Sequence, residues 1–282
     1  MQRSVALVTG ASSGFGLLTV VELAKAGYHV IATMRDSRKQ GALLTLAAKQ
    51  QVSEQIEVWS LDVTNRTEII EVSAKLTETY QRLDLLIHNA GISIGGFNEE
   101  ISEQDWRRSM ETNFFGVVFL TQALLPLMRQ QQSGKIINVS SVGGRIAFPG
   151  YGPYSASKFA LEGFSESLRL ELSLYGIDVI LVEPGAYQTD IWAKGFTHIE
   201  DTSSTHSSYQ QPMKQVLSVG KRLTKHAGQP MDVAKKIVNI AAKRKPRLRY
   251  AMGRGSTLAV MAKGLLPWRW LEALIKWQLR KK

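Results

Sequence analysis

Tyr154 and Lys158 stand four residues apart in Gly152-Pro153-Tyr154-Ser155-Ala156-Ser157-Lys158, and Ser141 precedes the tyrosine by thirteen. Four residues of helix rise about 6 Å and return to nearly the same face, so this phenol and this ammonium would share one space. A neighbouring cation favours phenolate and lowers a tyrosine pKa from its usual value of about 10. A phenol tuned in this way can donate or accept a proton near neutral pH. The spacing alone occurs on many helices, so its meaning depends on its surroundings. Tyr151 is a rival for the role, but no lysine follows it by four residues, and Ser140 is the rival to Ser141.

The elements that must position these residues begin at the start of the chain. Residues 4–9 form a short apolar run rich in β-branched residues, which predicts a buried strand. It leads into Gly10-Ala11-Ser12-Ser13-Gly14-Phe15-Gly16, then an apolar helical stretch over 17–26 closed by Gly27, then a second strand over 29–33. Glycines in such a turn let the backbone approach a pyrophosphate, and the helix N-terminus offers it free N–H groups. Further strands are predicted at 55–61, 84–88, 135–140, 177–183 and near 248–251. Helices are predicted over 38–50, 65–82, 102–129 (bent by Pro126), 154–175 and 231–243. This alternation predicts an α/β fold: one parallel sheet, doubly wound, with helices on both faces. Gly14, Asn89, Ser141 and Pro184 all follow strands, so they should gather at the carboxyl edge, where such sheets bind ligands.

At these residues the chain resembles the short-chain dehydrogenases/reductases. The family's Thr-Gly-x-x-x-Gly-x-Gly stands as Thr9-Gly10-Ala11-Ser12-Ser13-Gly14-Phe15-Gly16, and its Asn-Asn-Ala-Gly as His88-Asn89-Ala90-Gly91, with His88 a departure. Its asparagine matches Asn113, its serine, tyrosine and lysine match Ser141, Tyr154 and Lys158, and its Pro-Gly turn matches Pro184-Gly185 with Thr189 following. The likeness covers residues 1–190 and is greatest to the branch that includes the 17β-hydroxysteroid dehydrogenases. It implies a Rossmann-type fold and hydride transfer between a nicotinamide cofactor and a carbonyl or secondary alcohol. In that reaction Tyr154 is the general acid/base, Ser141 holds the substrate oxygen, Lys158 also holds the nicotinamide ribose, and Asn113 anchors a relay water. The cofactor would contact Gly10, Ser12, Ser13, Gly14, Phe15, Gly16, Asp62, Val63, Asn89, Ala90, Gly91, Tyr154, Lys158, Pro184, Gly185 and Thr189. By family register Met34 fills the acidic position at the end of the second strand and Arg35 follows it, which favours NADP(H). Asp36 argues for NAD(H) if the register slips. A homo-oligomer that pairs helices 102–129 and 154–175 is also implied. A catalytically silent nucleotide-binding sensor of the same fold is the alternative.

Composition narrows the classes. At 282 residues and 44% hydrophobic, the chain has material for one large core, and no linker interrupts it, so one domain over 1–282 is expected. There is no cysteine, hence no disulfide or thiolate chemistry, and the five histidines do not cluster as metal ligands. No run of 18 or more apolar residues suggests a span, and the first strand starts too early for a signal peptide, so a cytoplasmic protein is expected. Of 35 Lys and Arg, 18 lie in 211–282 beside only Asp232 and Glu272, leaving that quarter at +16 and residues 1–210 at −5. The basic residues are interleaved with apolar ones and no reading motif is present, so nucleic acid is not expected as a partner. The segment 258–282 carries Trp268, Trp270 and Trp277 beside cations, which suits either a helix over an apolar pocket or peripheral membrane contact. Residues 195–229 are polar and poorly periodic and are expected to form a mobile substrate lid, within 191–229. Ile92 to Phe97, Gly143 to Phe148, Tyr187, Trp192 and Phe196 are candidate lining for an apolar substrate.

Overall fold

The structure is a computed structural model that describes residues 3–202, 207–225 and 227–280. Seven strands form one parallel sheet: β1 (Val5–Thr9), β2 (His29–Met34), β3 (Ile56–Ser60), β4 (Leu85–His88), β5 (Gly134–Val139), β6 (Ile177–Pro184) and β7 (Arg249–Met252). Their order is β3-β2-β1-β4-β5-β6-β7. Register follows from pairs such as Leu7 with Ile31, Leu7 with Leu86, and Ile137 with Ile180. The order reverses between β1 and β4, and this switch point opens the crevice in which such sheets take ligands.

Side-chain alternation assigns the faces. Ala6 and Val8 pack with α1 (Gly14–Lys25), α2 (Gly41–Lys49) and α9 (Pro230–Ala241) through Val20, Leu43 and Ile237. Val5 and Leu7 point the other way, to α3 (Arg66–Tyr80), α5 (Gly116–Gln131) and α6 (Gly152–Leu172) through Leu76, Leu124 and Leu168. Burying each such aliphatic side chain contributes about 1.5–3 kcal/mol. Both cores are needed because a parallel sheet has no wet face.

α4 (Glu103–Met110) runs through a π turn, Glu111–Phe115, directly into α5. By length and composition this continuous helix, Glu103–Gln131, could cross a membrane. It instead gives Leu120, Leu124, Leu127 and Met128 to the core.

The segment expected to form a mobile lid differs from the sequence expectation. Rather than loop, it forms two helices, α7 (Asp190–Thr202) and α8 (Gln210–Lys225). Trp192, Phe196 and Ile199 recur at helical spacing, as do Met213, Val216 and Gly220, but the many Ser, Thr, Gln and His residues between them mask that period. Residues 203–206 and 226 of the predicted lid lie outside the described residues. The C-terminal segment is likewise two helices, α10 (Ser256–Leu265) and α11 (Trp268–Arg280), separated at Pro267.

Candidate active site

The glycine turn after β1 is built for close approach. Gly10 and Gly14 have φ of 68° and 56°, the left-handed region in which a side chain is strained. A Cβ on Gly16 would lie 2.4 Å from both Asn89 Nδ2 and the Gly10 carbonyl. Asn89 Nδ2 donates to the carbonyls of Thr9 (2.9 Å) and Gly10 (3.0 Å), while Thr9 Oγ1 accepts from the N–H groups of Asn89 and Ala90, each at 3.0 Å. The β4 edge thus props the turn open and aims the start of α1 at the crevice. Ser13 precedes α1 without spending its side chain as a cap, so the first N–H groups of the helix are left for a ligand.

A cavity of about 700 Å³ opens over this turn. Of the expected cofactor residues it is lined by Gly10, Ser12, Ser13, Gly14, Phe15, Arg35, Asp62, Val63, Asn89, Ala90, Gly91 and Thr189. Gly16, Tyr154, Lys158, Pro184 and Gly185 do not line it. Gly16 lies beneath the turn. The Gly185 N–H donates to the Met252 carbonyl at 2.8 Å, and a side chain there would strike Ser256, so this turn is tied to β7 and α10. Sequence reasoning missed Lys39, Arg108 and Lys194, which also face the cavity. Lys39 could have been found from the basic run that starts at Arg35.

Asp36 does not line the cavity. Its carboxylate accepts from the Arg38 Nε (2.8 Å), Nη2 (3.1 Å) and backbone N–H (3.1 Å), and the Arg38 hydrogen bond holds it below the usual carboxylate range. Met34, Arg35 and Lys39 do line the cavity.

The second group sits on β5, α6 and the π turn. Ser141 follows β5 by two residues and caps a short turn, with Oγ accepting from Gly143 N–H at 3.0 Å. A Cβ on Gly143 would lie 3.2 Å from Tyr154 Cε1 and 3.3 Å from Ser141 Oγ, so the hydroxyl and the phenol meet over a residue with no side chain. Ser140 Oγ is turned away, beneath Gly144 and beside Glu162. Lys158 Nζ donates to the Val139 carbonyl at 2.8 Å and lies 5.9 Å from the centre of the Tyr154 ring. It is also 3.8 Å from where a Gly91 side chain would begin, which puts it just behind the cavity wall. Asn113 Oδ1 accepts from Ile92 N–H (2.8 Å), and its Nδ2 donates to the Ile92 carbonyl and to Ser157 Oγ, each at 2.9 Å. This amide clamps the segment after β4 to α6, and the π turn swings it inward.

Electrostatics depart from the sequence expectation. Burial pushes the Tyr154 phenol up, the Ser141 hydrogen bond opposes that, and Lys158 does not pull it down. Lys158 is itself buried, and desolvation lowers it to about 8 against the opposing charge of Glu162. The ammonium is turned to the Val139 carbonyl rather than to the phenol. Glu162, one turn further along α6, is raised to about 7 by burial although Arg249 Nε lies 2.9 Å away. Arg249 and Arg145 both reach Glu183, at 3.2 and 3.1 Å, locking β6, β7 and the turn after Ser141 together.

α7 and α8 cover this group. Tyr151 packs with Phe196, Ile199, Met213 and Val216, and Trp192 and Phe97 join them. Burial pushes the Tyr151 phenol up, as it does that of Tyr154, but no serine hydroxyl opposes the shift at Tyr151. Phe97 stacks on Tyr209 at 4.5 Å, and His198 Nδ1 pairs with the Gly95 carbonyl at 2.7 Å. Tyr187, expected as substrate lining, is instead buried edge-on against Phe15 at 5.7 Å on the α1 side of the sheet. The departure at His88 is structural: the ring is buried beside Thr121 Oγ1 at 2.9 Å, and burial lowers it to about 3, so it stays neutral. Among the described residues no group of His, Cys, Asp or Glu could hold a metal ion.

The sheet order, the glycine turn and the Ser–Tyr–Lys cluster define a dinucleotide-binding oxidoreductase fold. The short chain dehydrogenase family model matches residues 4–200. The chain belongs to that family, within a branch like the 17β-hydroxysteroid dehydrogenases. It is 42% identical over 280 residues to the uncharacterized oxidoreductase YusZ of Bacillus subtilis, covering 99% of both chains. It is 34% identical to estradiol 17-beta-dehydrogenase 1 of Rattus norvegicus, covering 89% of this chain and 74% of that one. A short-chain dehydrogenase structure from Streptomyces avermitilis superposes with a TM-score of 0.80 at 34% identity, covering 98% of this chain and 96% of that chain. The actinorhodin polyketide ketoreductase with NADPH gives 0.76 at 29%, covering 91% and 99%. A Burkholderia phymatum protein in complex with NAD gives 0.79 at 23%, covering 97% and 95%, a likeness of fold alone.

The cavity fits a nicotinamide dinucleotide. Its floor is a turn in which a Cβ on Gly10 or Gly16 would strike the residues that follow β4, one wall is the start of α1, and Thr189 Oγ1 is a buried hydroxyl with no partner among the described residues.

Proposed function

We propose that this chain is an NADP(H)-dependent oxidoreductase that interconverts an apolar ketone and its secondary alcohol. The observation that carries this reading is the meeting of Ser141 Oγ and the Tyr154 ring over Gly143, with Lys158 behind Gly91 at the cavity wall. When bound, the nicotinamide supplies or accepts the hydride. The turn Gly10–Gly16 and Thr189 would hold the pyrophosphate end, Asp62 and Val63 the adenine end, Arg35 and Lys39 the 2′-phosphate, and Lys158 the nicotinamide ribose. Asn89, Ala90, Gly91 and the Pro184-Gly185 turn complete that set.

Tyr154 Oη donates its proton to the carbonyl oxygen in reduction and takes it back in oxidation. Ser141 Oγ hydrogen-bonds the same oxygen and fixes its distance to the phenol. Lys158, once drawn from Val139 toward bound ligand, brings a charge close enough to lower the phenol. Asn113 fixes Ile92 and Ser157 beside Lys158 and anchors the relay water. Trp192 and Phe196 on the lid, with Phe97 packed against them, favour an apolar substrate, and estradiol 17-beta-dehydrogenase 1 names one chemistry of that kind.

We read the chain as one domain of a cytoplasmic homo-oligomer that pairs α4–α5 and α6 with a second copy, and its C-terminal helices as a membrane contact, developed below. The test of the function is NADPH binding followed by a panel of apolar ketones. Binding with turnover supports it. Binding without turnover across the panel would favour a nucleotide sensor.

A further inference from the structure

We propose that α10 and α11 form a docking face for an anionic lipid surface and set the lid of the site against it. Eight of the fourteen exposed large apolar side chains among the described residues fall within 258–277. Leu258, Met261 and Leu265 recur at i, i+3 and i+7 on α10, one face of a helix, and Leu265 is 80% exposed. After Pro267 the pattern resumes on α11 with Trp270, Leu274 and Trp277 at i, i+4 and i+7, and Trp270 is 63% exposed. These three and Ala273 line a shallow apolar trough. Scattered exposed apolar residues need no explanation, but a contiguous patch of this kind marks an interaction surface.

Charge selects the occupant. Between 256 and 282 the chain has Lys263, Arg269, Lys276, Arg280, Lys281 and Lys282 against Glu272 alone; Lys263 is turned inward and Lys276 pairs with Glu272, and the remaining charge is still all basic. A second copy on a two-fold axis would set this basic face against itself. An anionic lipid surface is the complement, with tryptophans at the boundary and cations toward the headgroups. Each basic side chain near such a surface strengthens binding about fivefold.

Position selects the consequence. α11 packs on α8, whose inner side chains Met213 and Val216 cover Tyr151. From α10, Lys263 reaches the Arg145 carbonyl, and its ammonium lies 4.6 Å from the Phe159 ring centre. The docking face is therefore continuous with the lid, and an apolar substrate could pass from the lipid between the lid helices and residues 92–97. That last step rests on the proposed function, whereas the docking itself rests on α10 and α11 alone.

The test is co-sedimentation of the full chain with phosphatidylcholine vesicles, with and without phosphatidylglycerol. Quenching of tryptophan emission by brominated acyl chains is read in parallel. The wild type should bind the anionic vesicles and be quenched. Arg269→Gln with Lys276→Gln should weaken binding roughly 25-fold, and Trp270→Ser with Trp277→Ser by at least about tenfold. NADPH affinity should be unchanged in both. Absence of wild-type binding, or equal binding by both variants, would overturn the proposal. So would a lipid-free wild-type dimer that the tryptophan variant dissociates, since the face would then belong to a second copy. Vesicle binding by a chain that fails to take up NADPH would sustain the docking face and remove only the oxidoreductase reading.

Discussion

Arg35→Ala should weaken NADPH binding while leaving NADH almost untouched. A charge-assisted hydrogen bond to a phosphate is worth about 1.5–3 kcal/mol. Arg35 and Lys39 are exposed at the rim of the cavity, so solvent and salt reduce each to roughly 1–1.5 kcal/mol. At about 1.4 kcal/mol per tenfold, Arg35→Ala should raise the Kd for NADPH about 5- to 10-fold, and the double variant with Lys39→Ala about 25- to 100-fold. The Kd for NADH should move less than about twofold, because NADH lacks the phosphate that both side chains are proposed to hold. The assay is nucleotide fluorescence titration at 0.05 and 0.5 M salt, and the wild-type preference should shrink at the higher salt as the Debye length falls below about 5 Å. Asp36→Asn should change neither Kd appreciably, since Arg38 already occupies that carboxylate. An unchanged ratio of the two affinities in the double variant, or a loss of NADH affinity in Asp36→Asn, would refute the cofactor reasoning.

Three further outcomes are expected. Gly16→Ala should weaken both nucleotides at least about tenfold and cost about 1–3 kcal/mol of stability, because its Cβ would sit 2.4 Å from Asn89 Nδ2 and the Gly10 carbonyl; titration and denaturant melts check it. Lys158, lowered to about 8 in the fold, is protonated more in the unfolded chain above that pH, so its cost to stability is full below pH 8 and fades toward 10.5. Urea melts should therefore show wild-type stability rising by about 1 kcal/mol between pH 7.5 and 9 and Lys158→Met lacking that rise; Glu162, raised to about 7, acts with the opposite sign below pH 7. Tyr151→Phe should retain turnover within about threefold, measured as kcat, because its hydroxyl is buried under the lid and makes no hydrogen bond among the described residues.

The legible parts of the fold were those with a strong local period. Each strand predicted by an apolar run is present within two residues of its predicted ends, because β-branched runs such as Ile136 to Val139 are buried on both sheet faces. The turn Gly10–Gly16 was legible because backbone approach leaves glycine as its signature. The lid was not, since Trp192, Phe196 and Ile199 bury one stripe of a helix whose other residues are polar, and a window average hides the stripe. The hold of Arg38 on Asp36 depends on a side-chain rotamer, and the turn of Lys158 toward Val139 on tertiary packing, neither of which spacing encodes. Tyr187 was misread for the same reason: its place in the chain follows the Pro184-Gly185 turn toward the site, but its ring packs back on Phe15.

The most direct measurement compares the wild type and Tyr154→Phe in one cuvette, titrated with NADPH and then supplied with an apolar ketone. Equal NADPH affinity within about twofold is expected, with turnover by the wild type and a kcat at least about 100-fold lower in the variant. Turnover retained by Tyr154→Phe, or a wild type that binds neither NADPH nor NADH, would contradict it.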